Sequence, residues 1–444
     1  MNRLWTRVFV VAACILILLF FSNDFGIIDI QQTAIVVAVG IDQSETDENK
    51  YDVTAQIAMP VSSGTSGAEA ACQITIRDSS TIGEAIAKIN SQTGWFPTLV
   101  YCNLVLFGEA TTNRDVFDAL DYFLRSNYVP DTALVAVVGG RCDEILSSQS
   151  PINDMSSAAI TKTLSSEAQK SGTVSVKNLR DFSKEYFSPS QSGYLPFIET
   201  KEAGEEGGGE NEQGGGESQA AATFSLPYSA GFENTLARLK KLNFHRWSFW
   251  HSPLPVSAEG NSQGGEKGGK SASKIFQASK TALFYRGKLV GKLDPDETLA
   301  LNLATAHTSI ATMSVKVDEE GQDIFYVLQL EEKKHDKKLE VKEDFAKFTI
   351  TVECSCQITD ASRSKSIENI TKTQMVQKKI LRAAEKHLTE KLDSIFKKSI
   401  ESGCDVFCVQ QILYRRSFRN YERLKDNILQ TVYPVYNVKF ETFK

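Results

Sequence analysis

Four cysteines set the first chemical question. Cys354 and Cys356 alternate along one apolar stretch and would share a face of a strand, while Cys404 and Cys408 would stand one turn apart on a helix. Brought together as thiolates, the four could hold a metal ion such as zinc. Cys72, Cys102 and Cys142 add no CxxC pair, and with Cys14 set aside the number is odd, which is not a disulfide framework. Buried free thiols filling small core positions are the simpler reading, so no metal is expected. The acids offer no alternative chemistry, because Asp294 and Asp296 open a helix that Asp294 can cap, with Pro295 in its first turn and Glu297 closing the box. His245, His251, His307, His335 and His387 lack HExxH spacing, and neither a GxSxG elbow nor a P-loop occurs. The run "IVVAVGID" at 35–42 is no phosphate cradle either, since Gly40 stands alone and "YDVTAQIAM" follows with period two. Neither a catalytic residue nor a cofactor is expected.

What the chain does carry is an address. Residues 4–21 are almost all apolar, with Arg3 and Arg7 at the start and Ser22, Asn23 and Asp24 after the end. That charge placement predicts a cytoplasmic N-terminus, with everything beyond about residue 25 outside. Val11, Ala12, Ala13 and Cys14 also spell a bacterial lipobox, which makes Cys14 a candidate for lipid attachment. Cleavage there would strand the apolar residues 15–21 on the mature chain, so an uncleaved single-span anchor is expected in its place. A net charge of −6 over 444 residues removes any general attraction to nucleic acid. The lipid bilayer is the expected partner. A second membrane-like feature lies at 227–255, where basic residues alternate with aromatics. There Phe244, Arg246, Trp247, Phe249 and Trp250 are candidates for contact with the bilayer or a membrane-embedded partner, or for docking onto the rest of the chain.

The elements that position these residues read clearly in places. The apolar run at 35–42 and the period-two segment after it form a hairpin around a polar loop at 42–50. Thr81 with Glu84 has capping-box form, and Ile82, Ala85, Ile86 and Ile89 share one helical face before Gly94. "TLVYCNLVLF" reads as a buried strand, "RDVFDALDYFLRS" as a helix burying Val116, Leu120, Phe123 and Leu124, and "TALVAVV" as a strand, an order that favours a parallel crossover. Helices are expected at 153–170 and 178–187, then a strand "GYLPFIE" with its proline at a sheet edge. The Gly- and Glu-rich stretches 202–218 and 257–273 read as flexible linkers. Beyond them come two strands around an Arg286-Gly287 turn, the Asp294-capped helix, and strands at 313–317, 323–331 and 345–358. A helix from about Thr371 to Gly403, on the order of 45 Å long, should lay Val376, Ile380, Ala384, Leu388, Leu392 and Ile400 on a sheet. The helix "SFRNYERLKDNILQTV" and the strand "VYNVKFETF" finish the chain.

Taken in order, "AIVVAVGIDQ", "YDVTAQIAMP", "GEAIAKINSQ", "LVLFGEA", "ALDYFLRSNYVPDTALVAVV", "TALFYRGKLVGKLDPDET" and the closing "GCDVFCVQQILYRRSFRNYERLKDNILQTVYPVYNVKF" resemble the Ger(x)C family of spore germination proteins. These are the C subunits of nutrient germinant receptors. The resemblance implies a non-enzymatic ectodomain at the outer face of the spore inner membrane, partnered with the integral-membrane subunits of the same receptor. The expected fold class is α+β, with mixed β-sheets flanked by helices in two or three subdomains after an N-terminal membrane anchor. The expected organisation is an anchor at 1–28, an N-terminal α/β germination domain at 29–200, a low-complexity insertion at 201–273 and a C-terminal Ger(x)C domain at 274–444. Departures from the family pattern are the position of Cys14 inside the apolar run, Tyr101-Cys102-Asn103 in place of a histidine and a basic residue, and the insertion.

Overall fold

A computed structural model describes residues 5, 7, 9–16, 33–58, 71–148, 150, 155–202, 274–319, 321–342, 345–362 and 376–443. Its N-terminal half is organised by β1 (Thr33–Gln43), whose burial alternates at first and then becomes continuous. β1 pairs antiparallel with β2 (Tyr51–Ala58), and β2 with β3 (Ala71–Ser79), so the expected hairpin is present. On its other side β1 runs parallel to β4 (Phe96–Thr98) and then β5 (Leu104–Gly108), which is followed by β6 (Leu134–Val138). β7 (Ser192–Glu202), β8 (Lys274–Tyr285) and β9 (Lys288–Leu293) complete a nine-stranded mixed sheet.

Both faces of the parallel strands are covered, which is why β5 and β6 are apolar without alternation. On one face lie α1 (Ile82–Thr93) and α2 (Phe117–Arg125). The other carries α3 (Cys142–Ser147) and α4 (Ser156–Thr163). α5 (Ser166–Lys170) follows, and α6 (Leu179–Tyr186) returns to the first face. α1 matches its sequence signals: Thr81 accepts from the Glu84 amide, Ile82, Ala85, Ile86 and Ile89 are buried, and Gly94 closes the helix in the left-handed region.

The C-terminal half is a four-stranded sheet of β10 (Ala311–Glu319), β11 (Gln322–Val341), β12 (Ala346–Ala361) and β13 (Val432–Thr442). β10 alternates buried and exposed residues strictly, as a sheet with one covered face should. The cover is α8 (Lys378–Ser402) together with α7 (Pro295–Thr305). α7 is buried from Glu297 to Ala304 on every side, because it lies between β8 of the first sheet, β11 of the second and α8. Such a helix has no polar face to display. α9 (Val409–Arg416), α10 (Phe418–Leu424) and α11 (Ile428–Thr431) lead into β13.

Several expectations are corrected. "TLVYCNLVLF" is two strands, β4 and β5, because residues 99–103 make a turn that Cys102 closes on the Leu99 carbonyl. Pro196 is interior to the sheet, with β7 held between β6 and β8. The β6 ladder reaches only Phe197 and Ile198, so the proline's missing N–H costs no bond there. α8 begins at Lys378, about seven residues later than expected, since Gln377 is extended and Val376 donates to Thr442 Oγ1 on β13. The expected box at Thr371 and Gln374 lies outside the described residues. Along α8, Ile380, Ala384, Leu388 and Leu392 are buried as expected, but Ile395, Phe396 and Ser399 continue the stripe and Ile400 is exposed. Leu124 of α2 is likewise exposed. The 153–170 segment is split where Ser165 caps α5, and the closing helix is split into α10 and α11.

Candidate functional site

In open sheets with parallel strands, ligands commonly sit at the carboxyl ends of those strands. Here that place is filled from within. Asp42 ends β1, is almost fully buried, and accepts from the Cys142 amide at 2.9 Å and the Asp143 amide at 3.2 Å. It thereby caps α3, whose own N-cap residue, Arg141, makes no side-chain cap. Burial pushes the Asp42 carboxyl up to about 6, against the pull of the Cys142 amide and the Arg141 guanidinium. Arg141 in turn bonds Asp52 at 2.9 Å and Asp143 at 3.1 Å. Gly40 permits this approach, because a Cβ there would lie 2.4 Å from that of Cys142.

A better candidate lies between the two sheets. A cleft of about 330 Å³ is lined by Lys177, Glu185 and Tyr194 from the first half and by Asn302, Thr305 and Cys408 from the second. Asn178 caps α6 and so fixes Lys177 just ahead of it, while α6 itself presents Glu185. Lys177 Nζ donates to Glu185 and stands 4.0 Å from the centre of the Tyr194 ring. Burial acts to neutralise this ammonium, but the Tyr194 and Glu185 side chains outweigh it and hold the group above its ordinary pKa. An ion pair with an aromatic face is a binding surface, not a nucleophile with its base.

Asp405 lies at another point of the junction between the halves, where its amide donates to Ser192 Oγ at 2.9 Å. It is buried and accepts from the Val409 amide at 2.8 Å and the Gln410 amide at 2.7 Å, capping α9, whose N-cap position is Cys408 with φ of 59°. Burial pushes its carboxyl up to about 6. Along the cleft itself, Ser175 and Asn302 join Thr281 and Thr298 in a buried chain of hydrogen bonds of 3.0 to 3.1 Å that ties the halves together.

The cysteines of the imagined metal site do not meet as one cluster. Cys354 and Cys356 do share a face of β12, buried under α8, while the Cys404 thiol points at the Phe284 carbonyl of β8. Burial pushes Cys354 up to about 12 and both Cys356 and Cys408 up to about 11, so these thiols are protonated at neutral pH and poor ligands. Among the described residues no group of three His, Cys, Asp or Glu side chains is placed to hold a metal ion. Cys14 is exposed within helical residues 9–16, and no helix among the described residues is long and apolar enough to cross a membrane. Phe244, Arg246, Trp247, Phe249 and Trp250 lie outside the described residues.

Two family models match the chain in succession: the spore germination protein N-terminal domain over residues 26–200, and the spore germination B3/GerAC-like C-terminal domain over residues 279–442. The chain belongs to the GerAC family of spore germination proteins. The junction described above is therefore the seam between the two GerAC domains. A crystal structure of the GerBC protein aligns with a TM-score of 0.43 at 14% identity, covering 91% of this chain and 97% of that one. No curated protein sequence matches.

Sequence reasoning did not find Asp42, Lys177, Glu185, Tyr194 or Asp405 as site residues. Asp42 acts across a hundred residues and left only the trace of an acid at the end of an apolar strand, whereas the partners of Lys177 and Asp405 are close in sequence but carry no motif that marks them.

Proposed function

We propose that the chain is the C subunit of a nutrient germinant receptor, held at the outer face of the spore inner membrane by its N-terminal segment. It acts by contact with the receptor's integral-membrane subunits and carries out no turnover. The observation that carries this reading is the pair of GerAC domains matched in order along the chain. The chemistry of the body is consistent with it, since its buried carboxylates cap helices, as Asp42 and Asp405 do, or are held in ion pairs, as Asp52 and Glu185 are, and its buried thiols are neutral. Tethering makes association with membrane subunits effectively intramolecular, so modest contacts suffice. Deleting the chain should leave spores unresponsive to the nutrient while a trigger that bypasses receptors still germinates them. An undiminished nutrient response would refute the proposal.

The cleft at Lys177 and Tyr194 favours a second reading, in which the chain itself captures a small polar nutrient between its domains. Calorimetry against amino acids, sugars and nucleosides separates the two. Heats that vanish in Tyr194→Ala support capture, and their absence in the parent chain removes it.

A further inference from the structure

Four apolar side chains stand in water at one end of the nine-stranded sheet. Trp95, Phe96, Val100 and Tyr101 are 39%, 42%, 45% and 63% exposed. The topology brings them together: β4 sets Phe96 opposite Thr33 at the very start of β1, and the 99–103 turn bulges from the sheet edge directly afterwards, beside Val36 and Val37. This end's own stretch holds no acidic or basic residue between Lys88 and Glu109, and at the start of neighbouring β6 Asp131 is paired with Arg180 at 3.4 Å. The other end of the same strands is the reverse. Asp42, Glu45, Asp47, Glu48 and Asp52 lie in the hairpin there, and with Asp143 beside them they outnumber Lys50 and the two arginines that pair with them, Arg77 and Arg141. The 11 residues of β1 separate the two ends by about 36 Å.

The end that carries Trp95 and Tyr101 is where the N-terminal segment joins the body. Residues 22–32 link the apolar run to Thr33 and can span at most about 40 Å. We propose that the 95–101 surface rests in the interfacial layer of the lipid bilayer, with its rings among the headgroups and the acidic hairpin turned away. The inference rests on the reading that residues 4–21 anchor the chain, and it adds which face of the body meets the lipid. Tryptophan and tyrosine favour that layer because each joins an apolar body to a polar tip. Anionic lipid repels the acidic end, so both ends of the sheet favour one orientation. A short tether then lets a weak contact persist.

The test reconstitutes the full chain in vesicles of phosphatidylglycerol and phosphatidylcholine, with a benzoylphenylalanine photocrosslinker placed in turn at the positions of Tyr101, Asp47 and Leu16. Lipid adducts are read by mass spectrometry. The expected result is an adduct at the Tyr101 position about tenfold above that at Asp47, the factor that 1.4 kcal/mol of preference gives. Replacing Trp95, Phe96 and Val100 with serine should erase that excess, and because all three are exposed the fold should persist. Adducts at Leu16 with equal yields at Tyr101 and Asp47 overturn the inference and leave the anchor standing. Adducts at Tyr101 without any at Leu16 uphold the lipid contact and sink the anchor, and failure at both positions sinks both. A crosslink from Tyr101 to protein in spore membranes, with none to lipid in vesicles, overturns the inference in favour of a protein partner.

Discussion

Acidification from pH 7 to pH 5 should stabilise this protein, and the reason lies in two carboxylates. Asp42 and Asp405 each have a pKa raised from 3.8 to about 6, with burial as the leading cause and amide hydrogen bonds opposing it. A carboxyl raised in the folded state binds its proton more tightly there than in the unfolded chain. Its stabilisation is complete below about pH 3.8 and is lost as pH rises through about 6, with no further loss above. The full effect of such a shift, 6 − 3.8 in pKa, is about 3 kcal/mol per group. Between pH 7 and pH 5 the linkage relation leaves about 1 kcal/mol for each group, or on the order of 2 to 3 kcal/mol for both. Urea unfolding at pH 5, 6 and 7 measures the change directly, and Asp405→Asn isolates one half of it. The variant will be less stable at pH 7, because the new amide nitrogen faces a backbone N–H that the carboxylate oxygen had accepted. Its gain on acidification should nevertheless be about 1 kcal/mol smaller than that of the parent chain. Comparing the two slopes cancels every other titrating group. A parent chain whose stability is flat or falls from pH 7 to pH 5, or an Asp405→Asn slope equal to the parent's, would refute the reasoning.

Lys177→Met should cost about 3 kcal/mol in the same assay, since it leaves Glu185 buried without its partner, and adding Glu185→Gln should restore most of that loss. Asp294→Ala should cost about 1 to 2 kcal/mol in thermal or urea unfolding, because Asp294 caps α7 through the Glu297 amide at 2.7 Å and also pairs with Lys391 at 3.1 Å.

Where a structural decision is local, the sequence carries it. Thr81 as a helix cap, the Asp294 box with Pro295 and Glu297, and the Arg286-Gly287 turn appear as read, although Glu84 accepts from the Ser80 amide and not from that of Thr81, and the turn shows why its residues matter. Both have positive φ, 50° and 73°, the backbone of a two-residue hairpin whose twist matches its strands. Decisions made across the chain were not legible. Asp42 caps a helix about a hundred residues away, and the start of α8 is set by a bond from Val376 to β13 near the end of the chain. Pro196 lies inside the sheet and not at its edge, a place open to it because the neighbouring ladder is short enough to spare its missing N–H. The seam with Lys177, Glu185 and Tyr194 forms only when two separately legible halves meet, and periodicity within either half says nothing about it.

The pairing of β7 with β8 has a consequence for how such chains can vary. Glu202 and Lys274 are opposite each other in the ladder, so the residues between them begin and end on neighbouring positions of one hairpin. The cost of closing such an excursion grows only with the logarithm of its length. A lineage can therefore lengthen, shorten or exchange this appendage with little thermodynamic penalty to the seam between the two domains, which makes the hairpin tip a natural mounting point for features that differ from one receptor to the next.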